Sequence, residues 1–186
     1  MKKITFIIPS VNRPSLKETI NSLINQTNPN WLAIVIYDGV PGESFEDSRI
    51  KTINVEKTGI FGDANGQSGL VRNIGIKMCK TDWIGFLDDD DTIHCDYVKL
   101  LFEKYDMFDF VIWKMKYNNG LVLPKLEVQD PIIFFNVGIS FCYKNKYSGL
   151  LFDSNKDGED YYFLLKLKNI TENYTVSDEI CYFVRH

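Results

Sequence analysis

The sequence predicts an α/β fold built on an open, mainly parallel sheet with helices on its faces. Three observations carry this. Apolar β-type runs alternate with helix-period segments through the first half of the chain, as strand–helix–strand units require. The strand runs end in Pro9-Ser10-Val11-Asn12-Arg13, in Asp38-Gly39 and in Asp88-Asp89-Asp90-Asp91, so polar groups gather where such sheets bind ligands, beyond the carboxyl ends of their strands. The chain has 186 residues, 45% of them apolar, which suits one compact domain with a sizeable core and no disulfides.

Ile4 to Ile8 is a first strand, and Ser15 stands as the cap of a helix with Leu16, Ile20, Leu23 and Ile24 on one face. Trp31 to Tyr37 is a second strand. From about 41 to 67 the apolar period fades and Gly42, Gly59, Gly62 and Gly66 mark a loop, with one short strand at Ile50 to Val55. Ser68 to Cys79, carrying Leu70, Val71, Ile74 and Met78, reads as a helix, and Trp83 to Leu87 as the buried strand before the aspartates. Asp91 is placed to cap a helix near Thr92, with a helical stretch from about Cys95 to Tyr105. Asp109 to Trp113 is a strand, paired with Leu121 to Leu123 through the Asn118-Asn119-Gly120 turn. Asn136 to Tyr143 reads as a strand, Glu159 to Lys168 as a helix, and Glu179 to Val184 as the last strand.

A net charge of −4 and scattered lysines and arginines exclude a general basic surface, so nucleic acid is not an expected partner. Cys79, Cys95, Cys142 and Cys181 form no CxxC pair and no Cys/His metal spacing. They read as reduced thiols, mostly core fillers, which points to a cytoplasmic protein. The run from Ile4 to Ile8 is too short for a signal-peptide core or a membrane span, so no transmembrane segment is expected. The sequons at Asn25, Asn169 and Asn173 are then chance matches.

Four consecutive carboxylates at the exit of a buried strand repel one another unless a cation or a hydroxyl-rich ligand sits among them. Asp88 and Asp90 are two apart and leave the same face if the strand geometry persists. The residues alone leave open a solvated turn with an acidic cap. Phe86 to Thr92 also satisfies the hhDxDxT pattern of haloacid-dehalogenase-like phosphatases, in which Asp88 is a covalent nucleophile and Asp90 an acid/base. That pattern belongs on a first strand, and here some 80 residues of α/β sequence precede it.

Taken in order, FIIPSVNRPSLKETINSLINQT, VIYDG, NGQSGLVRNIGIKMCKTDWIGFLDDDD, GEDYYFLLKL and YFVRH resemble the family 2 glycosyltransferases, from residue 4 to the last. The resemblance implies a GT-A fold, Rossmann-like with a mixed, mainly parallel sheet, with residues 1–91 as nucleotide-binding half and 92–186 as acceptor-side half. It implies inverting transfer of a sugar from a nucleotide-diphosphate donor, with UDP as first expectation and dTDP and GDP behind, to a glycan, lipid-linked or small-molecule acceptor. Mn²⁺ or Mg²⁺ would neutralise the departing diphosphate. By the same resemblance Asp90 holds the metal and His186 joins the metal or the diphosphate. Asp88 and Asp89 accept hydrogen bonds from the ribose, although any DDD window fits a DxD motif. Asp38 pairs with the base, Arg72 lies near base and phosphates, and the loop carrying Pro9, Val11, Asn12 and Arg13 borders the donor. Val11 stands where the family often has a base-stacking Tyr. Asp160, in the Glu-Asp motif, is the general base, with Asp153, Asp157 and Glu159 as nearby acids. The chain is short for the family, which fits the catalytic domain of a longer protein, and a non-catalytic GT-A domain that binds a nucleotide sugar or a protein partner is the competing reading.

Overall fold

The computed structural model describes residues 1–58, 68–126, 130–153 and 158–185. Its first half is β1 (Ile4–Ser10), α1 (Leu16–Ile24), β2 (Trp31–Asp38), β3 (Ile50–Val55), α2 (Ser68–Met78) and β4 (Trp83–Phe86). These four strands run parallel in the order β3-β2-β1-β4. Near-continuous burial of β1, β2 and β4 follows from their apolar runs, since strands covered on both faces cannot alternate with polar residues.

The second half is β5 (Thr92–Ile93), α3 (Tyr97–Leu100) continuing as a π-helical turn (Leu101–Tyr105), β6 (Phe110–Tyr117), β7 (Val122–Leu123), β8 (Phe141–Lys144), α4 (Glu159–Ile170) and β9 (Tyr174–Val184). It extends the sheet as β4-β8-β6-β9-β5, with β7 on β6. β8 is antiparallel to both β4 and β6, and β6 and β9 are parallel, so the sheet is mixed while most of its paired residues lie in parallel ladders.

Several elements differ from the sequence expectation. Thr92 opens β5 rather than a helix: it pairs with Phe183 of β9, and the helix starts at Tyr97 after Asp96. Asp91 is therefore no cap. Ser15 sits at the start of α1 but its side chain makes no capping bond; its carbonyl accepts the Glu18 and Thr19 N–H groups instead. Ile24 is 43% exposed and Thr19 is buried in its place. On α2 the buried face is Gly69, Val71, Arg72, Asn73, Gly75 and Ile76, so two polar side chains lie where an apolar stripe was expected. Of Asn136 to Tyr143 only the end is strand; the Asn136 side chain closes a loop by bonding the Lys125 N–H and carbonyl and the Pro131 carbonyl. The glycines at 59, 62 and 66 lie outside the described residues. Burial raises the thiols of Cys79, Cys142 and Cys181 to about 12, in keeping with their role as core fillers, whereas Cys95 is exposed. Among the described residues no helix is long and apolar enough to cross a membrane.

An aromatic cluster joins the two halves. The Phe86 ring at the end of β4 meets Phe141 of β8 at 5.3 Å and Phe152 at 5.2 Å, both edge to face, and Phe152 stacks on Phe163 of α4 at 4.3 Å. Because Asp88 lies two residues past Phe86 and Asp160 three residues before Phe163, this packing fixes the aspartate run relative to the start of α4.

Candidate active site

The four aspartates leave β4 in a turn closed by the Asp91 N–H on the Asp88 carbonyl at 3.1 Å. Their side chains still alternate. Asp88 and Asp90 are partly exposed while Asp89 and Asp91 are buried, although the strand itself ends at Phe86 and the Asp88 carboxylate meets the buried Arg72. Asp89 is 3% exposed and accepts the Ser10 hydroxyl at 2.7 Å, the Val11 N–H at 3.2 Å and Arg13 Nη1 at 2.9 Å. It fastens the Pro9 to Arg13 loop to the acidic run. Burial raises its pKa, and Ser10 and Arg13 oppose that.

Asp91 is held from the far end of the chain. The Arg185 N–H donates to its Oδ1 at 3.1 Å, and the Tyr182 hydroxyl, buried under the run, bonds its carboxyl while accepting the Asp88 N–H at 3.2 Å. Burial first, then the charge of Asp88, pushes the Asp91 carboxyl up to about 7. The pairing of β5 with β9 makes this possible by bringing Tyr182 and Arg185 beneath residues 88–91. Arg185 also bonds the Asp90 carbonyl, the Ser15 carbonyl and the Glu18 carboxylate, and with Ser15, Asp90 and Asn118 it lines an open cleft of about 400 Å³. The sequence marked Arg185 only as part of a motif, because its long-range bonds depend on a strand pairing that has no local signal.

Arg72 is the hub of the other side. Only 3% exposed, it donates from Nη2 to Asp88 at 2.6 Å and from Nη1 to Glu159, and Nη1 stands 3.6 Å from Asp160 Oδ1. Burial alone lowers the guanidinium pKa, but the three carboxylates outweigh it and hold it raised. Glu159 also accepts the Ser68 hydroxyl and the Gly69 N–H, both at 3.0 Å, placing a carboxylate on the positive end of α2. Gly69 is needed for this approach, since a Cβ there would lie 2.4 Å from Glu159 Oε2. Gly158 serves the turn into α4: its φ of 73° is left-handed, and a Cβ would meet Phe134 at 2.2 Å. Glu159, an acid the sequence set beside Asp160, is thus a structural partner of Arg72.

Asp160 is different from its neighbours. Its Oδ1 is sealed from solvent and accepts no hydrogen bond, while the side chain as a whole keeps 24% of its surface exposed. Burial, with Glu159 and Asp88 adding to it and Arg72 opposing it, pushes the carboxyl up to about 7. Such a group has the basicity for proton transfer near neutrality. Asp153 is ion-paired with Lys166 at 2.6 Å, and Asp157 lies outside the described residues.

The remaining predicted residues lie on the β1 and β2 side. Asp38, at the end of β2, accepts the Thr58 N–H at 2.7 Å and hydroxyl at 3.1 Å. Pro9, the residue before the end of β1, is half-buried, and Val11 is 49% exposed. Asn12 takes a left-handed φ of 60° and its amide donates to the Pro41 carbonyl at 3.1 Å, linking the loops after β1 and β2. His186 lies outside the described residues. The geometry therefore brings Asp88, Asp89, Asp90, Arg13, Arg72 and Asp160 into one connected constellation.

An open α/β sheet thus carries an acid-lined crevice at its strand ends, with the Asp160 carboxyl across it at the start of α4. Residues 5–154 match the sequence profile described as Glycosyl transferase family 2, and the chain belongs to that family. It is 27% identical over 212 residues to the poly(ribitol-phosphate) beta-N-acetylglucosaminyltransferase TarP of Staphylococcus aureus, covering 99% of this chain and 63% of TarP. The fold is that of S. aureus TarS 1-349, with TM-score 0.77, 21% identity and coverage of 98% of this chain and 60% of that one. TarS 1-349 in complex with UDP-GlcNAc superposes with TM-score 0.74 and 20% identity, covering 99% of this chain and 58% of the other. The chain thus spans less than two thirds of the length of these proteins.

Proposed function

We propose that the chain is the catalytic, nucleotide-sugar-binding part of an inverting glycosyltransferase, with residues 1–91 forming the donor half and 92–186 the acceptor half. The observation that carries this reading is Asp160: a sealed carboxylate oxygen without a hydrogen-bond partner, basic enough for proton transfer, tied through Arg72 to the donor-side acid Asp88. Asp160 takes the proton from an acceptor hydroxyl as its oxygen attacks the anomeric carbon, and the nucleoside diphosphate leaves from the opposite face. Asp88 accepts the ribose hydroxyls, Asp38 receives the base, and Asp89 holds the Pro9 to Arg13 loop against the donor.

Asp90 suits a hard divalent cation, because it offers carboxylate oxygen at the crevice, next to a second partly exposed carboxylate, and already draws the cationic group of Arg13. Asp90 would hold Mn²⁺ or Mg²⁺, with His186 as a further ligand, and the bound cation would supply charge neutralisation for a departing diphosphate. A UDP-sugar donor is supported by the UDP-GlcNAc complex of TarS, which shares the fold, and the activity for which TarP is named makes a poly(ribitol phosphate) the first acceptor to try.

The test is Asp160→Asn. Transfer should fall by about 10²–10⁴-fold, the usual worth of a positioned acid or base, with UDP affinity kept within a few-fold. Near-normal transfer, or loss of donor affinity in parallel with rate, refutes the base role. A second reading, a phosphatase with Asp88 as nucleophile, is disfavoured because Asp88 is bonded to the buried Arg72 and its motif follows the fourth strand rather than the first.

A further inference from the structure

Arg13 is bonded in a way that the donor reading does not by itself explain. One nitrogen, Nη1, donates to Asp89 Oδ1 at 2.9 Å and to Asp90 Oδ2 at 2.7 Å, and among the described residues its side chain bonds nothing else. The two acids are unequal partners. Asp89 is buried and fixed by Ser10 and Val11, whereas the Asp90 side chain is 27% exposed and faces the crevice. The Arg13 side chain is 51% exposed, so one edge of its guanidinium rests on the acids and the rest lies in water at the mouth of the donor site.

We propose that Arg13 is the resident counter-ion of the donor site: in the unliganded chain it occupies the Asp90 oxygen that a divalent cation claims, and it turns to the donor diphosphate when that cation arrives. The proposal rests on the metal and donor roles given above. A guanidinium and a divalent cation on one carboxylate oxygen repel each other, so binding of the cation expels Arg13 from Asp90. The displaced group has somewhere to go. Its remaining N–H donors match phosphate oxygens in a two-pronged geometry, and its stem starts beside the left-handed Asn12 at the rim of the crevice. Arg13 thus makes cation and diphosphate binding interdependent. The cation alone binds weakly because it must displace an internal ion pair, and the diphosphate relieves this by giving Arg13 a new partner; by reciprocity the cation strengthens diphosphate binding by the same factor.

The experiment is equilibrium titration with Mn²⁺ alone and with saturating UDP, reading free Mn²⁺ by electron paramagnetic resonance, on the wild-type chain, Arg13→Ala, Arg13→Lys and Asp90→Asn. Asp90→Asn identifies Mn²⁺ bound elsewhere. Arg13→Ala should bind Mn²⁺ alone about fivefold or more tightly than wild type, and the gain in Mn²⁺ affinity on adding UDP should shrink by a similar factor. Arg13→Lys should lie between, since an ammonium competes for Asp90 without the two-pronged geometry. Equal or weaker binding of Mn²⁺ alone by Arg13→Ala, or an undiminished UDP effect, overturns the proposal. Binding that is the same in wild type and Asp90→Asn refutes the metal role itself and the Arg13 proposal with it.

Discussion

Asp160 holds its proton more tightly in the folded chain than in an unfolded one, and that has a consequence for stability as well as for catalysis. Its carboxyl stands at about 7 against an ordinary 3.8, chiefly through burial. With the folded value raised, its contribution to stability is whole below the unfolded value and is lost as pH rises through the folded one. Asp160→Asn, which stays neutral, should therefore melt higher than wild type at pH 8 and close to it at pH 4, as thermal denaturation across that range would show. The same ionisation should govern turnover, which in the wild type rises as pH passes through about 7. A melting difference independent of pH would mean that Asp160 is not the perturbed group. At this scale residue type and order were enough to name Asp88, Asp90 and Asp160 as candidates, and the structure sets all three around the same strand ends. The sequence grouped Asp89 with Asp88 and set Asp91 aside as a helix cap, because the burial of the two depends on Ser10 in β1 and on Arg185 just past the end of β9.

The elements matter through what they hold in register. The start of α4 carries Glu159 and Asp160, and its position over the acidic run is set by Phe163 packed on Phe152 and, at 6.2 Å, edge to face on Phe86. Phe163→Ala opens a cavity in this cluster and should cost about 3–5 kcal/mol of stability, measured by urea denaturation. The loss should also reduce transfer in the surviving folded fraction, since α4 is no longer braced against β4; an unchanged stability would show that the cluster does not anchor the helix. Strands β1 to β4 and helices α1, α2 and α4 were legible because their apolar periods are strong. The β5–β9 pairing was not: Thr92-Ile93 is two residues long, and an acid before a polar residue looks like a helix cap when its partner strand lies some 90 residues away. The buried face of α2 was missed for a related reason, because Arg72 and Asn73 are buried only by their bonds to Glu159, Asp88 and the Phe152 backbone.

For the whole molecule, the parallel half supplies the loops proposed to receive the donor, and the last strand and α4 close back over the same strand ends with Tyr182, Arg185 and Asp160. The family and the fold were readable from ordered motifs, whereas the acceptor was not, since no local pattern in the second half encodes it. The central claim is a single displacement with one base on the face opposite the leaving diphosphate. Time-resolved proton NMR of the first product formed from a UDP-sugar, with poly(ribitol phosphate) as acceptor or water as its surrogate, reads this directly. The account predicts a product of inverted anomeric configuration relative to the donor, and a product that first appears with the donor's own configuration would contradict it.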